Sequence, residues 1–143
     1  VFMRSKLIVP SNPLSGRCKK NGVQLIFEVS VETSFVATHA VTINGIDEKP
    51  HSHDWKVVLT VQGDSLDNDG LLVDFLDLEN QLEEAVAPLN DANLNSCAVL
   101  NKQNPSTERI ACYIASCIKV SPPAQITSVT VTEAPHCKAT FKP

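Results

Sequence analysis

A regular alternation of apolar and polar residues from position 23 to position 35 constrains the fold more than any other feature of the chain. The apolar members are Val23, Leu25, Phe27, Val29, Val31 and Phe35. Successive side chains of a β-strand point to opposite faces, so a period of two places one set on a buried face. We therefore predict a long, half-buried strand that begins at Val23. A second alternating run, containing Trp55, Val57, Leu59 and Val61, predicts its neighbour.

The middle of the chain changes to a helical period. Apolar residues recur every three or four positions at Phe75, Leu78, Leu82, Val86 and Leu89. Asp74 precedes this stripe and is a typical N-cap residue, so we predict a first amphipathic helix behind it.

A second helix follows, and the strand pattern then returns. Asn104 and Pro105 resemble an N-cap and a first helical residue, and the expected apolar stripe contains Ile110, Tyr113, Ile114, Cys117 and Ile118. Alternation resumes at Val129 and Val131 and again over residues 137–141. The predicted order is strand, strand, helix, helix, strand, strand. It indicates an α+β fold with two helices on one face of an antiparallel sheet.

Length, charge and cysteine content indicate the number of domains, the kinds of partner and the compartment. The 143 residues fit one domain, and a net charge of −4 without a basic run argues against nucleic acid or a membrane surface as a partner. Five cysteines without a Cys-x-x-Cys pair, and no signal-peptide pattern, favour free thiols in a cytoplasmic protein. Residues 1–22 contain prolines, glycines and basic residues without a period, so we predict an N-terminal arm (1–22) before the domain (23–143).

Three histidines continue the apolar faces of the two predicted strands. His39 shares the parity of Phe35, and His51 and His53 share that of Trp55. Three neutral imidazoles with an open fourth position suit a catalytic zinc ion, whereas a structural zinc more often recruits cysteines. The alternative is that these are ordinary surface or core histidines.

Glu133 is a second exception to the apolar pattern, because it continues the parity of Val131 at the end of a strand. It either turns outward at Ala134 or offers both carboxylate oxygens to a planar N–H donor edge. Thr107 and Glu108 suit the first turn of the second helix, and Asp91 follows the first helix as a terminating polar residue.

Several segments together resemble the 6-pyruvoyl-tetrahydropterin synthase family, which includes the 6-carboxy-tetrahydropterin synthases. The segments at 35–39 (Phe-Val-Ala-Thr-His) and 51–57 (His-Ser-His-Asp-Trp-Lys-Val) resemble family motifs. Further matches lie at 70–78, 88–89, 93–94, 105–108 and 131–133, in the family's order and spacing. The resemblance covers roughly residues 23–143.

The resemblance implies a tunnelling fold, in which sheets of several subunits form a barrel, commonly a hexamer made from two trimers. It implies a zinc ion held by His39, His51 and His53, and a pterin ring anchored by Glu133. Thr107 and Glu108 are expected near that ring.

The chain departs from the family at its catalytic residues. No cysteine lies between Cys18 and Cys97, and Glu48 resembles the glutamate of a variant subgroup that lacks the usual cysteine. Asn90-Asp91 stands where the family has an Asp-His pair. We expect a zinc-dependent lyase acting on 7,8-dihydroneopterin triphosphate, by side-chain cleavage or triphosphate elimination, with Glu48 as general base assisted by Asp91. The alternatives are a non-catalytic paralogue that binds zinc and pterin, and a structural oligomer.

Overall fold

The computed structural model describes residues 19–143, and within them the predicted order of strands and helices is confirmed. The strands are β1 (Lys19–Lys20), β2 (Val23–Gln24), β3 (Phe27–His39), β4 (Thr42–Ile43), β5 (Ile46–Asp47), β6 (His51–Gly63), β7 (Ala92–Asn93), β8 (Gln125–Ala134) and β9 (Cys137–Phe141). The helices are α1 (Phe75–Val86) and α2 (Thr107–Cys117), with short 3-10 turns at Leu94–Ser96 and Ala98–Leu100 between them.

Five strands form one sheet in the order β7-β3-β6-β8-β9. The pairing of β3 with β6 is antiparallel over their whole length, from Phe27 opposite Gly63 to His39 opposite His51. The strand β7 joins β3 in parallel over two residues. The sheet is therefore mostly antiparallel, as predicted, and the last residue of β3 lies beside the first residue of β6.

Both helices pack on one face of this sheet, and the alternating residues point toward them. Val31, Phe35 and Ala37 of β3 are buried, as are Trp55, Val57, Leu59 and Val61 of β6. The opposite parity in β3 is mostly exposed. Burial of this apolar layer is the main favourable contribution to folding, and it fixes the strand register, because a slip by one residue would expose the whole set.

The N-cap residue of α1 is the one predicted from the sequence, whereas the N-cap residue of α2 is not. Asp74 caps α1 and accepts a hydrogen bond from the backbone N–H of Leu76, as predicted. The predicted cap at Asn104 is wrong: Ser106 caps α2 and accepts from the N–H of Arg109. Asn104 and the buried Pro105 precede the helix, because the Asn104 side chain bonds to the backbone of Thr42 instead.

Four expected core residues are exposed: Val23, Leu25, Phe75 and Cys117. Phe75 is 51% exposed at the first position of α1, whose buried face begins at Leu78. Cys117 is exposed at the last turn of α2, where Ala115 and Ile118 take the buried positions. The predicted start of the long strand at Val23 is wrong: the strand begins at Phe27, and Val23 and Leu25 before it are 63% and 40% exposed.

Residues 19–24 form a separate two-stranded hairpin, β1 with β2, around Asn21 and Gly22 at positive φ. Glycine adopts this conformation without steric cost. The rest of the predicted arm, residues 1–18, lies outside the described residues, and the boundary at residue 22 stays a prediction.

Two further expectations concern cysteines and membranes. Cys97, Cys112, Cys117 and Cys137 are free thiols, as expected, and Cys18 lies outside the described residues. Within residues 19–143, neither helix has the length and apolar character needed to cross a bilayer.

Candidate metal and pterin site

The strand register brings the three predicted histidines together. His39 lies directly opposite His51, and His53 lies opposite Ala37, two residues along the same face. The imidazole centroids are 4.6–5.4 Å apart. The His39 side chain is fully buried, whereas those of His51 and His53 are 39% and 23% exposed, so the group opens to solvent on one side.

Backbone carbonyls fix the orientation of two of these rings. His39 Nδ1 lies 2.8 Å from the carbonyl oxygen of Pro105, and His51 Nδ1 lies 2.8 Å from that of Lys49. A carbonyl oxygen only accepts, so each Nδ1 carries the proton and donates. In the neutral ring, Nε2 then has a free lone pair directed into the group.

Glu133 completes the arrangement from the neighbouring strand. It lies at an irregularity in the pairing of β8 with β9, where the register shifts between Thr132 and Ala134. Such a bulge redirects a side chain. Glu133 Oε1 lies 2.8 Å from His39 Nε2, 3.2 Å from His53 Nε2 and 3.9 Å from His51 Nε2. We call His39, His51, His53 and Glu133 the histidine–glutamate cluster.

The donor set of the histidine–glutamate cluster suits a divalent metal ion. Three ring nitrogens and one carboxylate oxygen lie within 4.8 Å of one another. His53 Nε2 is buried and has no hydrogen-bond partner, since its 3.2 Å approach to Glu133 lacks hydrogen-bond geometry. Lone pairs that converge in this way need positive charge between them, and among the side chains described, residues 21–143, no lysine or arginine pairs with Glu133. Imidazole nitrogens with a carboxylate oxygen are typical zinc ligands.

The pKa of Glu133 is lowered by its neighbours. Burial raises the pKa of this carboxyl, but the hydrogen bond from Thr107 and the interactions with His39 and His53 lower it by more. Glu133 is therefore an anion at neutral pH. This negative charge adds to the cluster's attraction for a cation.

Thr107 connects α2 to the cluster, and Glu108 does not. Thr107 is buried, and its Oγ1 donates to Glu133 Oε2 at 2.7 Å. Glu108, the next residue of the helix, is exposed. Of the two residues expected near a pterin ring, the structure thus places Thr107 in contact with the cluster.

Trp55 supports the cluster from the core side. Its ring is fully buried, and its Nε1 donates to the Ala37 carbonyl at 3.2 Å. The ring packs edge to face against His39 and His53, with centroids 4.8 Å and 5.7 Å apart. The buried indole ring therefore supports the His39 and His53 rings from the core side.

Glu48 lies outside the cluster, on the loop that precedes His51. It is exposed, and its Oε2 accepts from the Val41 N–H at 3.2 Å while its own N–H donates to the Val41 carbonyl at 3.0 Å. The same loop supplies the Lys49 carbonyl that orients His51.

Two asparagines hold the chain that leads from His39 to Glu48; the sequence pattern did not indicate Asn95 and suggested only a helix cap at Asn104. Asn95 bonds to both the N–H and the carbonyl of Ala40, at 2.8 and 2.7 Å. Asn104 bonds to both backbone groups of Thr42, at 2.9 and 3.1 Å. We call this pair the asparagine clamp. Both asparagines lie outside the long strands and helices, where residues follow no hydrophobic period. Their hydrogen bonds to Ala40 and Thr42 are therefore visible only in the folded structure.

Asp91 lines a separate cavity of about 410 Å³, together with Thr38, Ser52 and Asn93. Thr38 and Ser52 have the opposite strand parity to the histidines. The Asp91 N–H donates to the Val36 carbonyl at 2.7 Å, and its carboxylate accepts from Asn90 Nδ2 at 3.3 Å. Neither bond involves Glu48 or a member of the histidine–glutamate cluster, so no hydrogen bond among the described residues links Asp91 to Glu48.

Comparison with known proteins decides the family. The model of the 6-pyruvoyl tetrahydropterin synthase family matches residues 28–143. The chain belongs to this family. A dihydroneopterin monophosphate aldolase from Pyrococcus furiosus is 33% identical over 93 residues, which are 65% of this chain and 75% of that protein.

Solved structures of family members share the fold. A 6-pyruvoyl tetrahydropterin synthase from Caenorhabditis elegans superimposes with a TM-score of 0.72 at 17% identity, over 83% of this chain and 96% of the other. The Plasmodium vivax enzyme, solved with alanine in place of a catalytic glutamate, superimposes with a TM-score of 0.65 at 21% identity, over 82% and 97%. The tunnelling fold predicted from the sequence is thereby confirmed for the single chain.

Proposed function

We propose that the chain is a zinc-dependent lyase that cleaves the side chain of a phosphorylated 7,8-dihydroneopterin by a retro-aldol reaction. The observation that carries this proposal is the convergence of three imidazole nitrogens on one carboxylate oxygen, with His53 Nε2 buried and unbonded. Membership of a pterin-processing family supports the substrate class. The relative from P. furiosus is an aldolase named for the monophosphate, which favours C–C cleavage over triphosphate elimination.

In this proposal, His39, His51 and His53 hold the zinc ion. The carbonyls of Pro105 and Lys49 keep the rings of His39 and His51 in the tautomer that binds metal through Nε2. The bound ion supplies Lewis-acid polarisation of a substrate hydroxyl.

Glu133 and Thr107 bind the pterin ring. The carboxylate accepts two hydrogen bonds from the amino group and the adjacent ring N–H, a planar donor pair that suits a bidentate acceptor. The Thr107 hydroxyl fixes the Oε2 atom of Glu133 and thereby the plane of the ring. The exposed Glu108 stays a predicted neighbour of the ring.

Glu48 is the proposed general base. It takes the proton from the hydroxyl on the second carbon of the pterin side chain. The bond between the first and second side-chain carbons then breaks, the second carbon becomes an aldehyde, and the electron pair passes into the ring imine. The first carbon finally takes a proton, which leaves 6-hydroxymethyl-7,8-dihydropterin and a phosphorylated glycolaldehyde. A glutamate is a catalytic residue in the P. vivax enzyme, so a carboxylate is an accepted catalytic group on this fold.

Product analysis tests the proposal. The zinc-loaded protein is incubated with 7,8-dihydroneopterin triphosphate and, separately, with its monophosphate, and the pterins are identified by mass spectrometry. We expect 6-hydroxymethyl-7,8-dihydropterin from at least one substrate. Glu48→Gln should reduce turnover by about 100-fold or more while zinc stays bound, in line with the usual contribution of a general base.

A matched control and the other outcomes make the test decisive. Glu84→Gln removes an exposed carboxylate from α1 and should leave turnover unchanged. A pyruvoyl or carboxy product would replace the retro-aldol assignment with another family reaction. Binding of pterin without any product would support the non-catalytic paralogue instead. Undiminished turnover in Glu48→Gln would remove Glu48 from the mechanism.

A further inference from the structure

Glu133 has two uses that exclude each other. Anchoring a pterin edge needs one lone pair of each carboxylate oxygen directed at the ligand, side by side; Oε2 can meet this while it also accepts from Thr107, but Oε1 has to face the ligand. In the structure Oε1 lies 2.8 Å from His39 Nε2 and 3.2 Å from His53 Nε2, while Oε2 accepts from Thr107. Oε1 is thus engaged by the same nitrogens that the proposed function assigns to the metal ion.

We propose that Glu133 is the fourth protein ligand of the metal ion when no pterin is bound, and that an arriving pterin draws the carboxylate away. This inference rests on the proposed function and adds a control of the same site. Sites with four protein ligands are closed, whereas catalytic sites keep one position open. The substrate would therefore open the coordination position that its own hydroxyl then uses.

The burial of the cluster fits this exchange. His39 is fully buried and oriented by Pro105, so it stays in place. The Glu133 side chain is 25% exposed and lies on the open side, where a planar ligand reaches it from solvent. Its position at the bulge of β8 and β9 frees it from regular strand pairing.

Thr107 is the pivot of the exchange. Its Oγ1 bonds to Oε2, the carboxylate oxygen that does not face the histidines. Rotation of the carboxylate about this hydrogen bond releases Oε1 from the nitrogens and keeps Oε2 held. The same bond therefore serves both arrangements.

Metal affinity and the visible spectrum of the cobalt protein test the inference without reference to turnover. Zn²⁺ affinity is measured by competition with a chelator, for the unaltered protein and for Glu133→Gln. Loss of groups that merely support a ligand lowers metal affinity by about 10- to 100-fold, so we expect at least a tenfold loss here. Glu84→Gln, which removes the same charge from an exposed helix position, should leave the affinity unchanged.

The exchange itself is followed in the Co²⁺-loaded protein with unsubstituted pterin, which has no side chain to cleave. Pterin should shift the visible spectrum of the unaltered protein toward that of the pterin-free Glu133→Gln protein. The spectrum of Glu133→Gln should not respond to pterin. Circular dichroism of both proteins verifies that they are folded.

The outcomes separate this inference from the proposed function. If His51→Ala abolishes metal binding and Glu133→Gln leaves both affinity and spectrum unaltered, the inference is wrong and the metal site stands. If Glu133→Gln weakens binding but pterin leaves the spectrum of the unaltered protein unchanged, Glu133 is a permanent ligand and the exchange is wrong. If the unaltered protein binds no metal, both proposals fail.

Discussion

His39 is the most enclosed member of the histidine–glutamate cluster, and both of its ring nitrogens have partners. Nδ1 bonds to the Pro105 carbonyl and Nε2 faces Glu133. Strand parity predicted the face that His39 occupies, because a period of two fixes it, but at Glu133 it left an outward orientation at Ala134 open. It could not predict the partner carbonyls of Pro105 and Lys49, which are backbone atoms of loops without a sequence signal.

Tyr113 provides a test of burial at one residue, because it is the chain's single tyrosine. Its hydroxyl donates to the Ala85 carbonyl at 3.0 Å. Burial raises its pKa above the ordinary value of 10.0, and a hydrogen bond with Cys117 and the charges of Cys117 and Cys97 raise it further. The protonated phenol therefore stabilises the folded state below about pH 10, and this stability declines as the pH rises above that value.

We expect the tyrosinate absorbance of the native protein to appear only at a pH well above the ordinary value. Tyr113→Phe should lower the free energy of unfolding by about 1 kcal/mol at neutral pH, because one hydrogen bond is lost. The variant should also lose less stability than the unaltered protein between neutral and strongly alkaline pH. Native tyrosine that ionises near pH 10 would contradict the burial described here.

The loop from His39 to Glu48 is an element whose conformation depends on two side chains outside it. Asn95 and Asn104 pair with Ala40 and Thr42 much as a neighbouring strand would. Between them, Val41 pairs with Glu48. The asparagine clamp thus positions the proposed base relative to the histidines of β3 and β6.

Asn95→Ala and Asn104→Ala should each lower the free energy of unfolding by about 1–3 kcal/mol, since each removes two hydrogen bonds to the backbone. We also expect a fall in kcat greater than any rise in KM, because the clamp positions Glu48 and does not touch the pterin. Urea unfolding and steady-state kinetics measure both effects. Asn80→Ala, at an exposed position of α1, is the control. Unaltered kcat in both clamp variants would show that Glu48 keeps its position without them.

The two helix N-termini show where a local sequence pattern predicts the cap residue and where it does not. The cap of α1 followed from Asp74 because the partner of its side chain, the Leu76 N–H, is local in the sequence. At α2 the motif Asn104-Pro105 had the composition of a helix start, but the clamp to Thr42 uses the asparagine, and Ser106 takes its place. A distant contact of this kind cannot be derived from local spacing.

For the molecule as a whole, a ligand that binds only the folded state must stabilise it. A metal concentration 100 times the Kd stabilises the fold by about 2.7 kcal/mol. For a domain of this size we expect Zn²⁺ to raise the Tm of the metal-free protein by about 5–10 °C. Differential scanning fluorimetry measures the change, and His51→Ala should abolish it. An equal shift in that variant would place the metal elsewhere.

The two edge strands of the sheet are relevant to how copies of the chain could assemble into an oligomer. The strand β7 pairs with β3 only at Ala37 and Thr38, and β9 is the last strand at the other edge among the described residues. Long unpaired edges are templates for pairing with another chain. This favours the homo-oligomer that the resemblance implies, with a hexamer of two trimers as the prediction, and light scattering after size exclusion measures its mass.

The most direct test of the account compares the metal-free protein with the same protein reconstituted with Zn²⁺, each given dihydroneopterin monophosphate. We predict that 6-hydroxymethyl-7,8-dihydropterin accumulates only with the reconstituted protein, and that its formation is lost in His51→Ala. Equal product formation with and without metal would contradict the role given to the histidine–glutamate cluster. Substrate that stays intact with the reconstituted protein, for the monophosphate and the triphosphate alike, would contradict the proposed lyase itself.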